Sequence, residues 1–397
     1  FGALLVAEGI RQPEGASATS LAEALAAAEA IGYPVMVRPS YVLGGRAMAV
    51  CYDGESLASY AVKATEVSGG HPILLDRFLD GAVELDLDLI ADGDQAVVGG
   101  ILQHIEEAGI HSGDSAAILP PLEVSAEHLE EMRGIARRLA LRLGVVGLMN
   151  VQFALHEGQV YVLEVNPRAS RTVPFIAKAV GVPLVKIAAR VMAGEKLADL
   201  GFVAEPKVPV VAVKAPVFPF KRLPNVDPVL GPEMKSTGEV MGLSAEFGHA
   251  VAKAWVAAGN RLPESGSVFL SVPDLDKPAL VPVARRLAGL GFELVATEGT
   301  ASFLESQGLA ARKVRKVWEG RPNVADEVIN GEIDLVINTP IGREPHSDDA
   351  VIRKTALRAG VPVVTTLSGA LAVAEAIAAL RKNALSVSSL QEIHARA

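Results

Sequence analysis

A chain of 397 residues is too long for one hydrophobic core, and its formal charge of −9 has the wrong sign for a nucleic-acid partner or an anionic membrane. Half of the residues are apolar and 21% are charged, the balance of a soluble globular protein, so two or three domains are expected. The single cysteine, Cys51, excludes an internal disulfide and a multi-cysteine metal site, fits a reducing cytoplasm, and reads as a small core residue.

Aromatic residues are few, while Ala, Val, Leu and Gly dominate, which favours α/β layers. No apolar run approaches the ~18 residues of a membrane span, and no basic-plus-apolar leader opens the chain. It opens at Phe1 rather than at a Met, so further residues upstream are expected.

In chain order, the pattern predicts a helix from Ser20 to Ile31 stopped by Gly32, then a strand from Pro34 to Arg38. A loop from Pro39 to Arg46 leads to a strand at Ala47–Tyr52, a helix at Glu55–Ser68 and a strand at Ile73–Phe78. From Val83 the residues alternate: Val83, Leu85, Leu87 and Leu89 point one way, and Glu84, Asp86 and Asp88 the other. A strand at Ala96–His104 and a helix at Ala126–Leu143 precede a hairpin, Leu148–Leu155 with Val160–Val165, turned at Glu157-Gly158. Helical segments then run to about Ala193.

Residues 194–259 are rich in proline and read as a connecting region ending in a helix, Ser244–Ala257. Beyond the turn residues 260–266, five strands alternate with helices. The strands are Val268–Val272, Glu293–Ala296, Lys313–Val317, Leu335–Asn338 and Pro362–Thr365, with helices at Pro278–Leu290, Ala301–Gln307, Val324–Asn330 and Asp348–Ala359. That rhythm predicts a doubly wound parallel sheet whose ligands sit beyond the carboxyl ends of the strands. The whole is expected to be α/β and α+β, with domains at 1–193 and 260–397 flanking the connecting region.

Three stretches carry chemistry. In the hairpin, Gln152 falls opposite Glu164 within about one residue of register, and Glu164 and Asn166 share a face because strand side chains alternate. One face then holds a carboxylate and amide oxygens, a donor set suited to Mg²⁺ completed by phosphates and water. Arg168 and Arg171 follow on the next turn, placed to hold anionic oxygens. A polar sheet face ended by Pro167 remains an equal alternative on the hairpin alone.

The second stretch, from Val37 to Met48, sets Gly44-Gly45 between Arg38 and Arg46, where a glycine backbone can approach phosphates; it is not a P-loop. A plain Gly-Gly hairpin is the blander alternative. The third, from His104 to Ser115, is a loop of His, Gly, Ser and acids after a strand, suited to hydrogen bonding with nucleotide and substrate. Its histidine spacing does not suit zinc, and a generic polar turn is the alternative.

Together the strings VRPSYVLGGRAM, GIHSGDS and EVNPRASRTVPF, in this order, resemble the second ATP-grasp unit of the carbamoyl-phosphate synthetase large subunit. The likeness continues through Gly181-Val-Pro-Leu, Val191-Met-Ala-Gly194 and residues 231–242 into the last domain, which resembles the methylglyoxal-synthase-like, Rossmann-like regulatory domain. The resemblance implies ATP-grasp lobes that phosphorylate carbamate with ATP and Mg²⁺ or Mn²⁺. It implies Gln152, Glu164 and Asn166 as metal ligands, and Arg38, Arg77, Leu79, Glu84, Gly109, Ile110, His111 and Ser112 around the nucleotide. Arg168 and Arg171 would face carbamate and the phosphoryl group, and Arg77 stands where some members have His.

In the last domain the resemblance implies a nucleotide monophosphate effector held by Lys277, Thr297, Thr300, Lys316, Asn338 and Thr339. The turn Thr297-Glu-Gly-Thr300, between a strand and a helix, is also a suitable place for a phosphate. Two positions depart from the family: Pro340 replaces a common hydroxyl residue, and Ala215 replaces an acid that contacts ornithine in members activated by it. Glu106, Asp114 and Thr365, the other ornithine contacts, are present; the change at Ala215 argues against ornithine activation. Implied partners are the upstream half of the large subunit and, through it, a glutamine amidotransferase small subunit. The rivals are a different ATP-grasp ligase, such as a biotin carboxylase or a purine-pathway enzyme, and a non-catalytic effector-binding fragment. The loop 341–349 offers no convincing Asp/His acid–base pair for a free-standing methylglyoxal synthase.

Overall fold

The computed structural model describes residues 1–40, 44–67, 71–223, 226–339 and 348–395. It forms two compact units: Phe1–Val210 with Gly231–Met234 and Ser388–Ala397, and Val211–Leu230 with Lys235–Val387.

The first unit opens with α1 (Gly2–Ala7), β1 (Gly15–Ala18), α2 (Leu21–Ile31), β2 (Val35–Pro39), β3 (Ala49–Cys51), α3 (Gly54–Val67) and β4 (Ile73–Arg77). The α2 start follows from Ser20, whose side chain accepts the Glu23 N–H at 3.2 Å, and its end from Gly32 at φ 88°. The four strands pair antiparallel in the order β1-β4-β2-β3. Val35, Val37, Ala49, Cys51, Leu57 and Leu75 form the core between sheet and helices, so Cys51 is a core residue. The third strand is shorter than expected because Ala47 adopts φ 55° and leaves the chain in a turn until Ala49.

Next come β5 (Val83–Asp92), β6 (Ala96–His104), β7 (Ala117–Leu119), α4 (Ala126–Arg142), β8 (Val146–His156), β9 (Gln159–Asn166), α5 (Thr172–Val180) and α6 (Leu184–Met192). The strands pair antiparallel in the order β7-β6-β5-β8-β9. Leu85, Leu87 and Leu89 of β5 pack with Val151 and Phe153 of β8 and with Met132, Ile135 and Leu139 of α4. Across β6, Gly99 and Gly100 admit α6 and α5: an added Cβ would lie 2.9 Å from Leu184 and from Ile176 respectively.

The second unit begins with an antiparallel hairpin, β10 (Val211–Val217) and β11 (Gly238–Ser244), followed by α7 (Phe247–Ala257). The proline content of this stretch predicts no strands, yet two form, and Ser244 ends β11 instead of starting the helix. Then follow β12 (Ser267–Ser271), α8 (Lys277–Gly289), β13 (Glu293–Thr297), α9 (Glu298–Ser306), β14 (Arg312–Val314), α10 (Val324–Asn330), β15 (Leu335–Asn338), α11 (Asp348–Ala359), β16 (Val363–Val364) and α12 (Leu367–Lys382). All five strands are parallel in the order β14-β13-β12-β15-β16, with one apolar core around Val268, Leu270 and Leu294 and another around Phe269, Val295 and Val336. This is the expected doubly wound sheet. The strand expected at Lys313–Val317 is only Arg312–Val314, and α9 starts three residues earlier than its apolar pattern suggests. A last helix, α13 (Leu390–Ala395), belongs to the first unit.

Candidate functional site

Three rungs cross β5, β8 and β9 on the face away from the leucine core. Glu84 pairs with Ala154 and Tyr161, Asp86 with Gln152 and Glu164, and Asp88 with Asn150 and Asn166. A bulge after Gln152 brings Leu163 onto this face beside Glu164. The expected register of Gln152 against Glu164 is therefore the observed one.

The acidic side of β5 does not face solvent: Asp86 and Asp88 are 2% and 1% exposed. Both carboxylates are held by donors. Asn150 Nδ2 lies 3.3 Å from Asp86 Oδ1 and from Asp88 Oδ1, and Gln152 Nε2 lies 3.3 Å from Asp86 Oδ1. An ionised carboxylate only accepts, so Gln152 must offer its NH₂ to Asp86, which turns its amide oxygen away. Asn166 Oδ1 accepts from Arg168 Nη2 at 3.2 Å, while Glu164 is exposed at the end of its rung. Asp88 also accepts from Ser170 Oγ at 2.6 Å and from Thr172 Oγ1. Burial pushes its carboxyl up to about 6, against the hydroxyl hydrogen bonds that favour the anion.

His104 lies on this same face, fully enclosed, with Nε2 2.8 Å from Asp86 Oδ2 and Nδ1 3.4 Å from Glu84 Oε2. Burial alone would favour the neutral ring; the bonds and charges of Asp86 and Glu84 outweigh it and push the imidazole up to about 9. His104 is thus a buried cation, not a group turned towards a ligand as its loop suggested. Glu84 Oε1 accepts the Gly109 N–H at 3.0 Å, which ties the loop to the sheet. His111, part-buried, has its imidazole lowered by desolvation and by Arg171, with Asp114, Asp86 and Glu164 acting the other way. Its backbone N–H donates to Gly231 O at 2.9 Å.

The remaining expected nucleotide residues divide. Leu79 is buried with Ala82 and Ala154 and flanked by Ala108, Tyr161 and Leu163, a small apolar cluster at the base of the loop that carries Gly109, Ile110 and Ser112. Arg38 is ion-paired with Asp76 at 2.5 Å, and Arg77 is exposed at the end of β4. Burial raises the Asp76 carboxyl, opposed by Arg38. The Gly44-Gly45 turn meets backbone: Met234 N donates to Gly44 O at 3.0 Å, and a Cβ on Gly45 would lie 1.8 Å from Pro232 O. The close approach anticipated for phosphates is made here by residues 231–234, which sequence reasoning did not connect with the loop.

In the second unit, Thr297, Lys316, Asn338 and Thr365 all stand at or just beyond the carboxyl ends of parallel strands. Lys277 Nζ contacts Asp274 Oδ1 at 2.6 Å and Gly299 O at 3.1 Å, and Lys316 Nζ lies 5.9 Å from the Trp318 ring centre. Thr297 and Thr300 are buried at the start of α9. The Asn338 amide is engaged on both sides, donating to Ser271 O and Asp349 Oδ1 at 3.1 Å and accepting from Arg353 at 2.6 Å. Thr339 Oγ1 donates to Asp276 Oδ2 at 2.9 Å. Glu106 and Asp114 belong to the first unit, Ala215 and Thr365 to the second; Pro340 and the loop 341–347 lie outside the described residues.

Among the described residues no group of three or more His, Cys, Asp or Glu side chains is arranged to hold a metal, and no single helix is long and apolar enough to cross a membrane. A cation at Glu164 would therefore draw on amide oxygens.

Comparison with known proteins agrees with this anatomy. The model described as carbamoyl-phosphate synthase L chain, ATP binding domain, matches residues 3–200, and that of the MGS-like domain matches residues 279–365. Two solved structures share the ATP-grasp fold. The biotin carboxylase domain of Hydrogenobacter thermophilus 2-oxoglutarate carboxylase gives a TM-score of 0.51 at 18% identity over 64% of each chain. Campylobacter jejuni biotin carboxylase gives 0.52 at 15% identity over the same shares. The carbamoyl phosphate synthase large chain of Myxococcus xanthus is 54% identical over 99% of this chain and 36% of its own length. That of Acidobacterium capsulatum is 52% identical over 100% of this chain and 37% of its own. The chain thus spans little more than a third of such relatives. It covers 77% of the large chain, C-terminal section, of Aquifex aeolicus, at 49% identity. The chain belongs to the carbamoyl phosphate synthase large-chain family.

Proposed function

We propose that the first unit transfers a phosphoryl group from ATP to carbamate, giving carbamoyl phosphate, as one step of glutamine-dependent synthesis feeding pyrimidine and arginine formation in the cytoplasm. The observation that carries this reading is the Asp86–Gln152–Glu164 rung: a buried carboxylate orients an amide, and an exposed carboxylate stands beside it. Glu164 with the Gln152 and Asn166 oxygens is an all-oxygen donor set that fits Mg²⁺, or Mn²⁺, bound with nucleotide phosphates. When bound, such an ion neutralises charge on the phosphate oxygens.

The chain's own residues do the rest. On this reading an adenine ring packs against the apolar cluster of Leu79, Ala154 and Leu163, beside the loop that carries Gly109, Ile110, His111 and Ser112. Arg168 and Arg171, both exposed, hold the anionic oxygens of carbamate and of the phosphoryl group in line. Carbamate is already an anion, so no general base is needed. Arg38 and Arg77 add positive charge, Arg38 while paired with Asp76.

The second unit, on this reading, binds a nucleotide monophosphate through Lys277, Lys316, Thr297 and Thr300, with Asn338 and Thr339 shaping the floor. Ornithine control is not expected because of Ala215, although Glu106, Asp114 and Thr365 are present. The partners proposed are the upstream half of the large chain and the glutamine amidotransferase subunit.

The test is ATP formation from carbamoyl phosphate and MgADP. Replacing Glu164 by Gln should lower the rate by about 100-fold or more with the fold intact by circular dichroism, since one charge on the transferring group is left unbalanced. Undiminished ATP formation by the variant would remove Glu164 from the metal site.

A further inference from the structure

Arg171 occupies the N-cap position of α5, where a short oxygen-bearing side chain is favoured, and it makes no capping hydrogen bond. A cation there also meets the positive end of the helix dipole. Both effects oppose arginine locally, and such a departure from local preference marks a position shaped by function. The capping role has moved back one residue: Ser170 Oγ accepts the Val173 N–H at 3.3 Å.

The same Ser170 hydroxyl donates to Asp88 Oδ1 at 2.6 Å, and Thr172 Oγ1 donates to Asp88 Oδ2. Asp88 is anchored on β5 with 1% exposure, and Asn150 Nδ2 lies 3.3 Å from it on the same rung as Asn166. Residues 170 and 172 are therefore both tied inward to one buried carboxylate. Arg171, between them, points the other way, and its Nη1 contacts Met234 Sδ at 2.7 Å. Its Nη1 lies 3.2 Å from where a Cβ on Gly113 would stand, beside the His111 loop.

We propose that Asp88, acting through the Ser170 and Thr172 hydroxyls, is a positioning residue that fixes the Arg171 guanidinium for the phosphate or carboxylate oxygens of the bound anion. The inference rests on the phosphoryl-transfer reading of this site. Neither Ser170 nor Thr172 touches the anion; they set where the guanidinium can be. Because two ties reach one carboxylate, the turn has little freedom to swing, and the guanidinium stays beside Met234 and the Gly113 loop without reorganising when the anion arrives.

Thr172→Val keeps the side-chain shape and removes the donor; Thr172→Ser keeps the donor. The valine variant should lose about 10-fold or more in kcat/KM for carbamoyl phosphate in ATP formation, while KM for MgADP stays within about twofold. The serine variant should behave as the parent. Crystal structures of both variants read the clamp independently of turnover: Arg171 should be displaced with valine and in place with serine. An unmoved Arg171 in the valine variant overturns the proposal, as does an equal kinetic loss in both variants. A parent chain that makes no ATP would overturn the phosphorylation reading instead, and the crystal structures would still decide the clamp.

Discussion

The side chains that matter most are buried acids with assigned partners. The alternation from Val83 to Asp88 was legible in the sequence, and it put Glu84, Asp86 and Asp88 on one face; it could not say that this face would be covered. What covers it comes from distant positions, His104, Asn150, Ser170 and Thr172, and only the fold brings them to the two carboxylates. The consequence is measurable. The His104 imidazole is raised to about 9 by Asp86 and Glu84 in the folded chain, against about 6.5 for a free ring. A folded value above the unfolded one means stability that is complete below about pH 6.5 and lost as pH rises through about 9. The urea midpoint should therefore fall between pH 7 and pH 9.5. His104→Gln leaves Asp86 and Glu84 without their cation and should cost about 3–5 kcal/mol at pH 7, with much of that fall removed. A parent midpoint flat over this range would contradict the buried cation.

At the level of elements, the hairpin of β8 and β9 was readable because turn residues at Glu157-Gly158 fix the register, and the register alone places Gln152 opposite Glu164. The hairpin of β10 and β11 was not. Pro216 lies within one strand and Gly238 and Gly242 within the other, residues that ordinarily argue against a strand. The Gly44-Gly45 turn was recognised as special, but its partner lies nearly two hundred residues away and is not written in the local pattern. The two glycines have similar positive φ values, 63° and 69°, yet only at Gly45 would a Cβ strike backbone, at 1.8 Å; at Gly44 the nearest atom is 3.9 Å away. Both alanine variants should lose about 1 kcal/mol from the backbone conformation alone. Gly45→Ala should lose distinctly more, because residues 231–234 must move. Equal denaturation midpoints for the two variants would show that the contact with Pro232 contributes nothing.

For the whole molecule, the order of motifs was more informative than any one of them. A carboxylate rung, a glycine turn and a His-Gly-Ser loop each have bland explanations; one sheet and its flanking loops bring the rung and the His-Gly-Ser loop together, and residues 231–234 reach both that loop and the glycine turn. The parallel sheet of the second unit was legible in the strand–helix rhythm, and the placement of Thr297, Lys316 and Asn338 at strand ends follows from it. The engagement of Asn338 with Arg353 and Asp349 does not, since it depends on how α11 packs. The relatives named as full large chains are nearly three times as long as this chain, so the central claim is that the carbamate-phosphorylating chemistry resides in these residues. Incubating the chain with phosphorus-labelled carbamoyl phosphate and MgADP tests it directly. The label should appear in the terminal phosphate of ATP; label released only as inorganic phosphate, or left in carbamoyl phosphate, would contradict it.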